Sequence, residues 1–262
     1  MADWNPDQYL KFADERTQPS IDLTSRIRLQ KKPHKILDIG CGPGNSTHVL
    51  AQQFPHACII GIDSSENMIQ VAKSTSIDLD ADLDFMICDA ATGLPSLETN
   101  YDIVFSNAAI QWIPRHDELL RNMMGRLKPG GVMAVQTPLL EKHPLHRIIR
   151  SVANQEKYRG TFSRNIQRRN NLSPQEYAAI LSDIAERFDI WETTYYHIMP
   201  SHRDILEWFR STRLRPYLAA LSPDRVPEFE ADLLDAFTRN MPVLENGKIL
   251  MPFPRLFFTA VR

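Results

Sequence analysis

Ile36-Leu37-Asp38-Ile39-Gly40-Cys41-Gly42-Pro43-Gly44-Asn45-Ser46 decides the fold of this chain. An apolar run carrying an acid, then glycines at every second position, then polar residues able to start a helix, spells a buried parallel strand turning tightly over a ligand. Gly40, Gly42 and Gly44 admit positive φ and lack the Cβ atoms that would hold a ligand off the main chain. Asn45 or Ser46 can cap the next helix, whose unpaired N–H groups and dipole favour a carboxylate or another polar group. A dinucleotide fingerprint is spaced G-x-G-x-x-G, with pyrophosphate on the helix N-terminus. The spacing here is Asp-x-Gly-x-Gly-x-Gly, which argues against NAD or FAD.

Two further acids extend the pattern. Asp63 ends the next apolar strand, 57–62, nineteen residues after Gly44, where a carboxylate suits both hydroxyls of a ribose. Asp89 follows a third strand, Leu83–Cys88. One strand-end acid is commonly just a cap or turn residue. Three on successive strands point to a ligand, because open α/β sheets bind at the carboxyl ends of their strands.

Outward from this stretch the rhythm is strand, helix, strand. Val49, Leu50 and Phe54 line the first core helix, and Ser64-Ser65-Glu66 opens a second with Met68, Ile69 and Ala72. Tyr101–Ser106 reads as a fourth strand, apolar throughout as both faces of a parallel strand are covered. Leu119, Leu120, Met123, Met124 and Leu127 recur at helical spacing, and Lys128-Pro129-Gly130-Gly131 predicts a stop before a fifth strand, Val132–Gln136. This alternation predicts a doubly wound, mostly parallel sheet. Upstream, Asn5-Pro6-Asp7-Gln8 starts a helix through Tyr9 and Phe12, and a second runs from Pro19 to about Leu29. Downstream, helices are expected over 145–155, over 177–181 after the Ser173-Pro174 cap, from Ser201 with Trp208 and Phe209, and from Ser222-Pro223. Strands are expected over 188–197 and 256–261.

The 262 residues are 43% hydrophobic with a net charge of −2, enough for a substantial core and without general attraction to nucleic acid or anionic membranes. Cys41, Cys58 and Cys88 are odd in number and form no C-x-x-C pair, so they read as small core residues, with no metal site. No apolar stretch approaches a membrane span, and the start, Met1–Asp7, carries acids and no hydrophobic block, so a cytoplasmic, soluble protein is expected. The oligomeric state is not legible, and a monomer is compatible with every feature.

The glycine motif resembles the first motif of class I S-adenosylmethionine-dependent methyltransferases. The likeness extends over nearly the whole chain to the trans-aconitate methyltransferase family. It is carried by Asp3-Trp4-Asn5-Pro6, Tyr9–Phe12, Glu15-Arg16, Gly40–Thr47, Gly61–Ser64, Asn107-Ala108 with Gln111-Trp112, Gly131-Val132 with Ala134-Val135-Gln136, Thr194-Tyr195-Tyr196-His197, Leu214-Arg215-Pro216 and Phe253–Phe257. The distal segments are the narrower ones. Two departures stand out: Arg213 occupies a place the family gives to glycine, and 138–172 has little to match.

The resemblance implies a Rossmann-like, seven-stranded sheet in one domain over 1–262. Lid helices would run to residue 33 and a cofactor-binding core over 34–137. Substrate-cap insertions would fill 138–187 and 198–252, with returning strands at 188–197 and 253–262. It implies S-adenosylmethionine, with S-adenosylhomocysteine as product, held by Trp4, Asp38, Gly40, Gly42, Gly44, Asn45, Asp63, Ser64, Met68, Asp89, Ala90 and Asn107. The implied reaction esterifies a small polycarboxylate.

A carboxylate, with a pKa of about 4, needs no general base at neutral pH. It needs placement near the methyl group, exclusion of water, and a grip on the other carboxylates. Arginines in pairs and neutral donors suit that task. Arg255 and Arg215 are the leading candidates, with Tyr195, Tyr196, His197, Gln111, Trp112, Tyr9 and Arg16. Tyr195 and Tyr196 alternate faces, so one reaches the substrate, and His197 shares a face with Tyr195. Trp112 equally fits a core, and the Arg164, Arg168, Arg169 cluster a solvated face. Esterification of a malonyl group on a carrier protein and a non-catalytic S-adenosylmethionine-binding regulator stay open as alternatives. A nucleic-acid amine methyltransferase is disfavoured, because Ser106-Asn107-Ala108-Ala109 does not match a motif that holds a flipped base.

Overall fold

The computed structural model describes residues 13–75, 81–140, 142–163, 166, 170–210 and 212–262. In chain order they form α1 (Ala13–Ser25), β1 (Lys35–Ile39), α2 (Asn45–Gln53), β2 (Cys58–Asp63), α3 (Glu66–Ser74), β3 (Asp82–Ile87) and β4 (Tyr101–Asn107). There follow α4 (His116–Arg126), β5 (Leu127–Pro138), α5 (Pro144–Ala153), α6 (Pro174–Ile184), β6 (Arg187–Met199), α7 (His202–Arg210), α8 (Arg215–Ala220), α9 (Val226–Asn240) and β7 (Ile249–Val261). The seven-stranded mixed sheet has the order β3-β2-β1-β4-β5-β7-β6. The chain divides into two compact units, one built from the chain up to Pro138 with Asn170–Glu192 and Leu256–Arg262, the other from Leu139–Arg169 and Thr193–Arg255.

In the first unit β1 pairs in parallel with β2 on one side and β4 on the other, so the strand order reverses there. That switch point is where helices leave in opposite directions and open a crevice. β4 is buried along all but its last residue, which is why it reads as an unbroken apolar run. β3 lies at the sheet edge, and its Ile87 is exposed. Ser65 caps α3 by accepting from Met68 N at 3.3 Å, and the helix buries Met68, Ile69 and Ala72.

Three local expectations are corrected. The helix expected to begin at Pro19 and reach Leu29 is α1, which runs through Pro19 and ends at Ser25, with Leu23 fully buried one turn beyond the proline. The cap of α2 is neither Asn45 nor Ser46 but left-handed Gly44 at φ 97, and Ser46 turns its hydroxyl to Asp38 instead. Lys128–Gly131 does not separate helix from strand, since β5 already starts at Leu127. Gly130 N donates to Arg262 O at 2.7 Å and Arg262 N to Gly131 O at 3.0 Å, so the glycines are held by the end of β7.

In the second unit α9 packs on α5 and α7. Tyr158, Phe162, Tyr217 and Phe229 form an aromatic nest with ring centroids 5.1 to 6.2 Å apart. The helix expected from Ser222-Pro223 begins at Val226, where Pro227 occupies the first turn. β7 begins at Ile249 rather than Leu256, despite Pro252 and Pro254. Proline forfeits a donor but keeps its acceptor, and Pro254 O takes Leu139 N at 2.9 Å.

Candidate functional site

In the first unit a cleft opens at the carboxyl ends of β1, β2, β3 and β4. Gly40, Gly42, Asp63, Ser64 and Met68 line it from the first two strands, Cys88, Asp89 and Ala90 from the third, and Asn107, Ala108, Ala109, Trp112 and Ile113 from the fourth. The glycine turn sits at φ 71, 56 and 97 for Gly40, Gly42 and Gly44, as their spacing anticipates. Gly40 is required twice over: a Cβ there would lie 2.2 Å from the Ala109 Cβ. Gly42 N donates to Asp63 Oδ2 at 3.0 Å and Ser65 N to Asp63 Oδ1 at 2.9 Å, which fixes the Asp63 carboxylate at the rim. Asp89 Oδ1 accepts from Ala91 N at 2.9 Å.

A narrow extension beside the cleft is lined by Thr17, Ser20, Gly40, Asn45, Ser46 and Asn107, with Asp38 buried nearby. Asp38 Oδ2 accepts from the Ser46 hydroxyl at 2.6 Å and the Thr47 hydroxyl at 2.7 Å. Among the described residues Asp38 Oδ1, Asn107 Oδ1 and Ser20 Oγ are buried without a hydrogen-bond partner. Burial raises the Asp38 pKa to about 6; the Ser46 and Thr47 hydroxyls work against that rise and the negative charge of Asp63 adds to it.

Buried acceptors of this kind are costly unless a donor arrives. An ammonium group is such a donor, and the first turn of α2 favours a carboxylate. An amino-acid moiety here, a ribose at Asp63 and an exocyclic amine at Asp89 together fit the S-adenosylmethionine that the sequence implies.

The second unit gathers a separate cluster from α5, β6, α7 and β7. Arg255 is 3% exposed, with its guanidinium 4.5 Å from the Phe253 ring and 5.8 Å from that of Tyr195. His197 lies 5.0 Å from Trp208 and 5.8 Å from Phe253, and His143 stands edge-on to Phe253 at 4.6 Å. Burial and then the Arg255 charge depress the His197 pKa to about 4; the same two causes, joined by His197, take His143 to about 3. Both imidazoles are therefore neutral donors at physiological pH. The alternation of the tyrosines holds: Tyr195 meets Arg255, while Tyr196 is 61% exposed.

Most of the anticipated cofactor residues thus meet in one cleft. Asn45 lines its extension, Asp38 underlies it, and Gly44 serves as helix cap. Trp112, expected at the acceptor, is in the cofactor cleft, and Gln111 turns its side chain onto Ala108 O and the Thr137 hydroxyl. Arg215 opens α8. Cys88 lines the cleft and is not a core residue. Trp4, Tyr9, Arg164, Arg168 and Arg169 lie outside the described residues, as does the Arg16 side chain. Sequence reasoning missed Ala108, Ala109, Ile113, Ser20 and His143. Of these only His143, in a stretch of few other signals beside Pro144, carries chemistry the sequence displays.

The methyltransferase-domain family model matches residues 30–200. The trans-aconitate 2-methyltransferase of Methylobacterium nodulans is 40% identical over 263 residues, spanning 100% of this chain and 99% of the relative. That of Escherichia coli O157:H7 is 41% identical over 264 residues with the same coverage, and that of Rhodopseudomonas palustris 39% over 267 residues, covering 100% of both. Among solved structures, the YcgJ protein of Bacillus subtilis superposes with a TM-score of 0.59 at 15% identity, covering 94% of this chain and 98% of the other. A methyltransferase-like protein of Bacillus halodurans gives 0.58 at 12%, covering 93% and 98%. Identities this low speak to the fold alone, and the fold is the Rossmann-like one of class I methyltransferases.

Proposed function

The chain belongs to the methyltransferase-domain family and within it to the trans-aconitate 2-methyltransferases, and from that premise we propose that it transfers a methyl group from S-adenosylmethionine to a carboxylate oxygen of trans-aconitate. The observation that carries this is identity of about 40% running end to end, through the second unit as well as the cofactor cleft. Bound S-adenosylmethionine supplies an electrophilic methyl group on a sulfonium; the products are a methyl ester and S-adenosylhomocysteine.

In this reading Asp38 Oδ1 and Asn107 Oδ1 take the cofactor's ammonium, Asp63 the ribose hydroxyls and Asp89 the adenine amine. Gly40 and Gly42 let the backbone approach, and Met68, Ala90, Trp112 and Ile113 flank the apolar parts. Arg255 grips a carboxylate that does not react, with Tyr195 and His197 as neutral partners. The reacting carboxylate needs no base, so these residues orient and desolvate rather than move protons. Trp208 and Phe253 supply the apolar walls that keep water out. Among the described residues no helix is long and apolar enough to cross a membrane, and we place the reaction in the cytoplasm.

The test is S-adenosylhomocysteine release with trans-aconitate, cis-aconitate, citrate, isopropylmalate and a malonyl thioester, with the product checked for a base-labile methyl. Preference for trans-aconitate is expected. Turnover with the malonyl thioester alone would replace the acceptor, and absence of turnover with any carboxylate would leave a regulator.

Asp38 sets a pH dependence. Its folded pKa lies above the ordinary carboxylate value, so protonation below about 6 removes the charge that an ammonium meets. S-adenosylhomocysteine binding is expected to weaken about tenfold between pH 7 and pH 5. Without ligand the sign reverses: stability that this group contributes is full below its unfolded pKa and lost as pH rises through about 6. Calorimetry across that range checks it, and affinity flat with pH would remove Asp38 from the ammonium.

A further inference from the structure

One wall of the cofactor cleft is held in an unfavourable backbone conformation. β4 ends at Asn107, and Ala108 then adopts φ 54, a left-handed value that a residue with a Cβ rarely holds. Ala109 follows against Gly40, and Ile110–Trp112 form a single tight turn. Arg115, at φ 57, closes the segment before α4. Such strain persists only where the surroundings over-determine it.

The surroundings here are side chains from distant parts of the sequence. Asn171 Nδ2 donates to Pro138 O at 2.7 Å and to the Thr137 hydroxyl at 2.9 Å. A carbonyl can only accept, so the nitrogen of the Asn171 amide must face Pro138, and its second hydrogen goes to Thr137. The Thr137 hydroxyl, accepting from Asn171, donates its own hydrogen to Gln111 Oε1 at 3.3 Å. Gln111 Nε2 then donates to Ala108 O at 2.6 Å.

A backbone carbonyl terminates the relay at each end, so every amide in it has one permitted orientation. Asn170 adds a donor to Gln111 O at 3.0 Å, and Ala108 N is tied to Gln136 O at 3.0 Å. On the far side His116 bonds Ile110 O at 2.8 Å and the Tyr177 hydroxyl at 2.7 Å.

We propose that Asn170, Asn171, Thr137 and Gln111 form a clamp that holds the Ala108–Ile113 wall in its cofactor-binding shape, as positioning residues for methyl transfer. This deepens the function proposed above and rests on that reading, since the wall is taken to face S-adenosylmethionine. Asn170 and Asn171 come from the stretch with the least family likeness in the sequence, so their role is set by the contacts and not by the motif.

Asn171→Asp keeps the shape of the side chain but turns its donors into acceptors, and Thr137→Val removes the middle of the relay. Each is expected to weaken S-adenosylhomocysteine binding about tenfold in calorimetry. The two together should cost little more than either alone, because they break one chain. Ala108→Gly should return Asn171→Asp to within about threefold of the wild type, since glycine holds a positive φ without help. A structural role elsewhere would lower the melting temperature without this rescue. Variants that bind within about twofold of the wild type, or a loss untouched by Ala108→Gly, would overturn the clamp alone. A wild-type protein that fails to bind S-adenosylhomocysteine would overturn the cofactor reading and the clamp with it.

Discussion

Replacing Arg255 by methionine is expected to lower kcat/KM for trans-aconitate by about 100- to 1,000-fold while S-adenosylhomocysteine binds as before. Arg255 is 3% exposed, its guanidinium lies over Phe253 and beside Tyr195, and it sits near two imidazoles that burial keeps neutral. The planar guanidinium can give a substrate carboxylate a paired, charge-assisted hydrogen bond. Methionine keeps the packing of the stem, and a melting temperature taken beside the kinetics separates a loss of folding from a loss of acceptor binding. Arg255→Lys keeps the charge without the planar fork and should fall between the two. The measurement is steady-state kinetics against both substrates. Equal losses for acceptor and cofactor would make Arg255 a folding residue.

Gly40→Ala is the second large effect, and it strikes the other ligand. The new Cβ would stand 2.2 Å from the Ala109 Cβ, and the residue would be locked at φ 71. Either the glycine turn or the Ala109 wall must move, and both line the cleft. S-adenosylhomocysteine affinity is expected to fall by more than about 100-fold. Ala109→Gly deletes the atom that collides, leaving only the left-handed backbone cost of about 1 to 2 kcal/mol, so the double variant should recover most of the binding. An active Gly40→Ala protein, or a double variant no better than the single, would show that the turn tolerates the added atom.

The β1 turn, the three strand-end acids and the parallel core are legible in the chain because each depends on its own neighbours. A glycine needs no partner to admit positive φ, and an acid at the end of an apolar run reaches the cleft wherever that run becomes a parallel strand beside the switch point or its neighbours. The alternation of Tyr195, Tyr196 and His197 is read the same way, from the pleat alone. What the amino-acid sequence determined by itself is therefore the parallel core, the cofactor turn and the placing of Tyr195 and His197 on one side of β6, opposite Tyr196.

The rest awaited tertiary contacts. Gly130 and Gly131 look like a loop until Arg262 pairs with them, and Pro252 and Pro254 look like breakers until Leu139 uses the carbonyl that proline keeps. Gln111 reads as a ligand contact until Thr137 and Ala108 are found on its amide. His143 is held neutral first by burial and then by the charges of Arg255 and His197. Only tertiary structure decided these, because a hydrogen-bond partner or a charge tens of residues away leaves no periodicity in the chain that carries it.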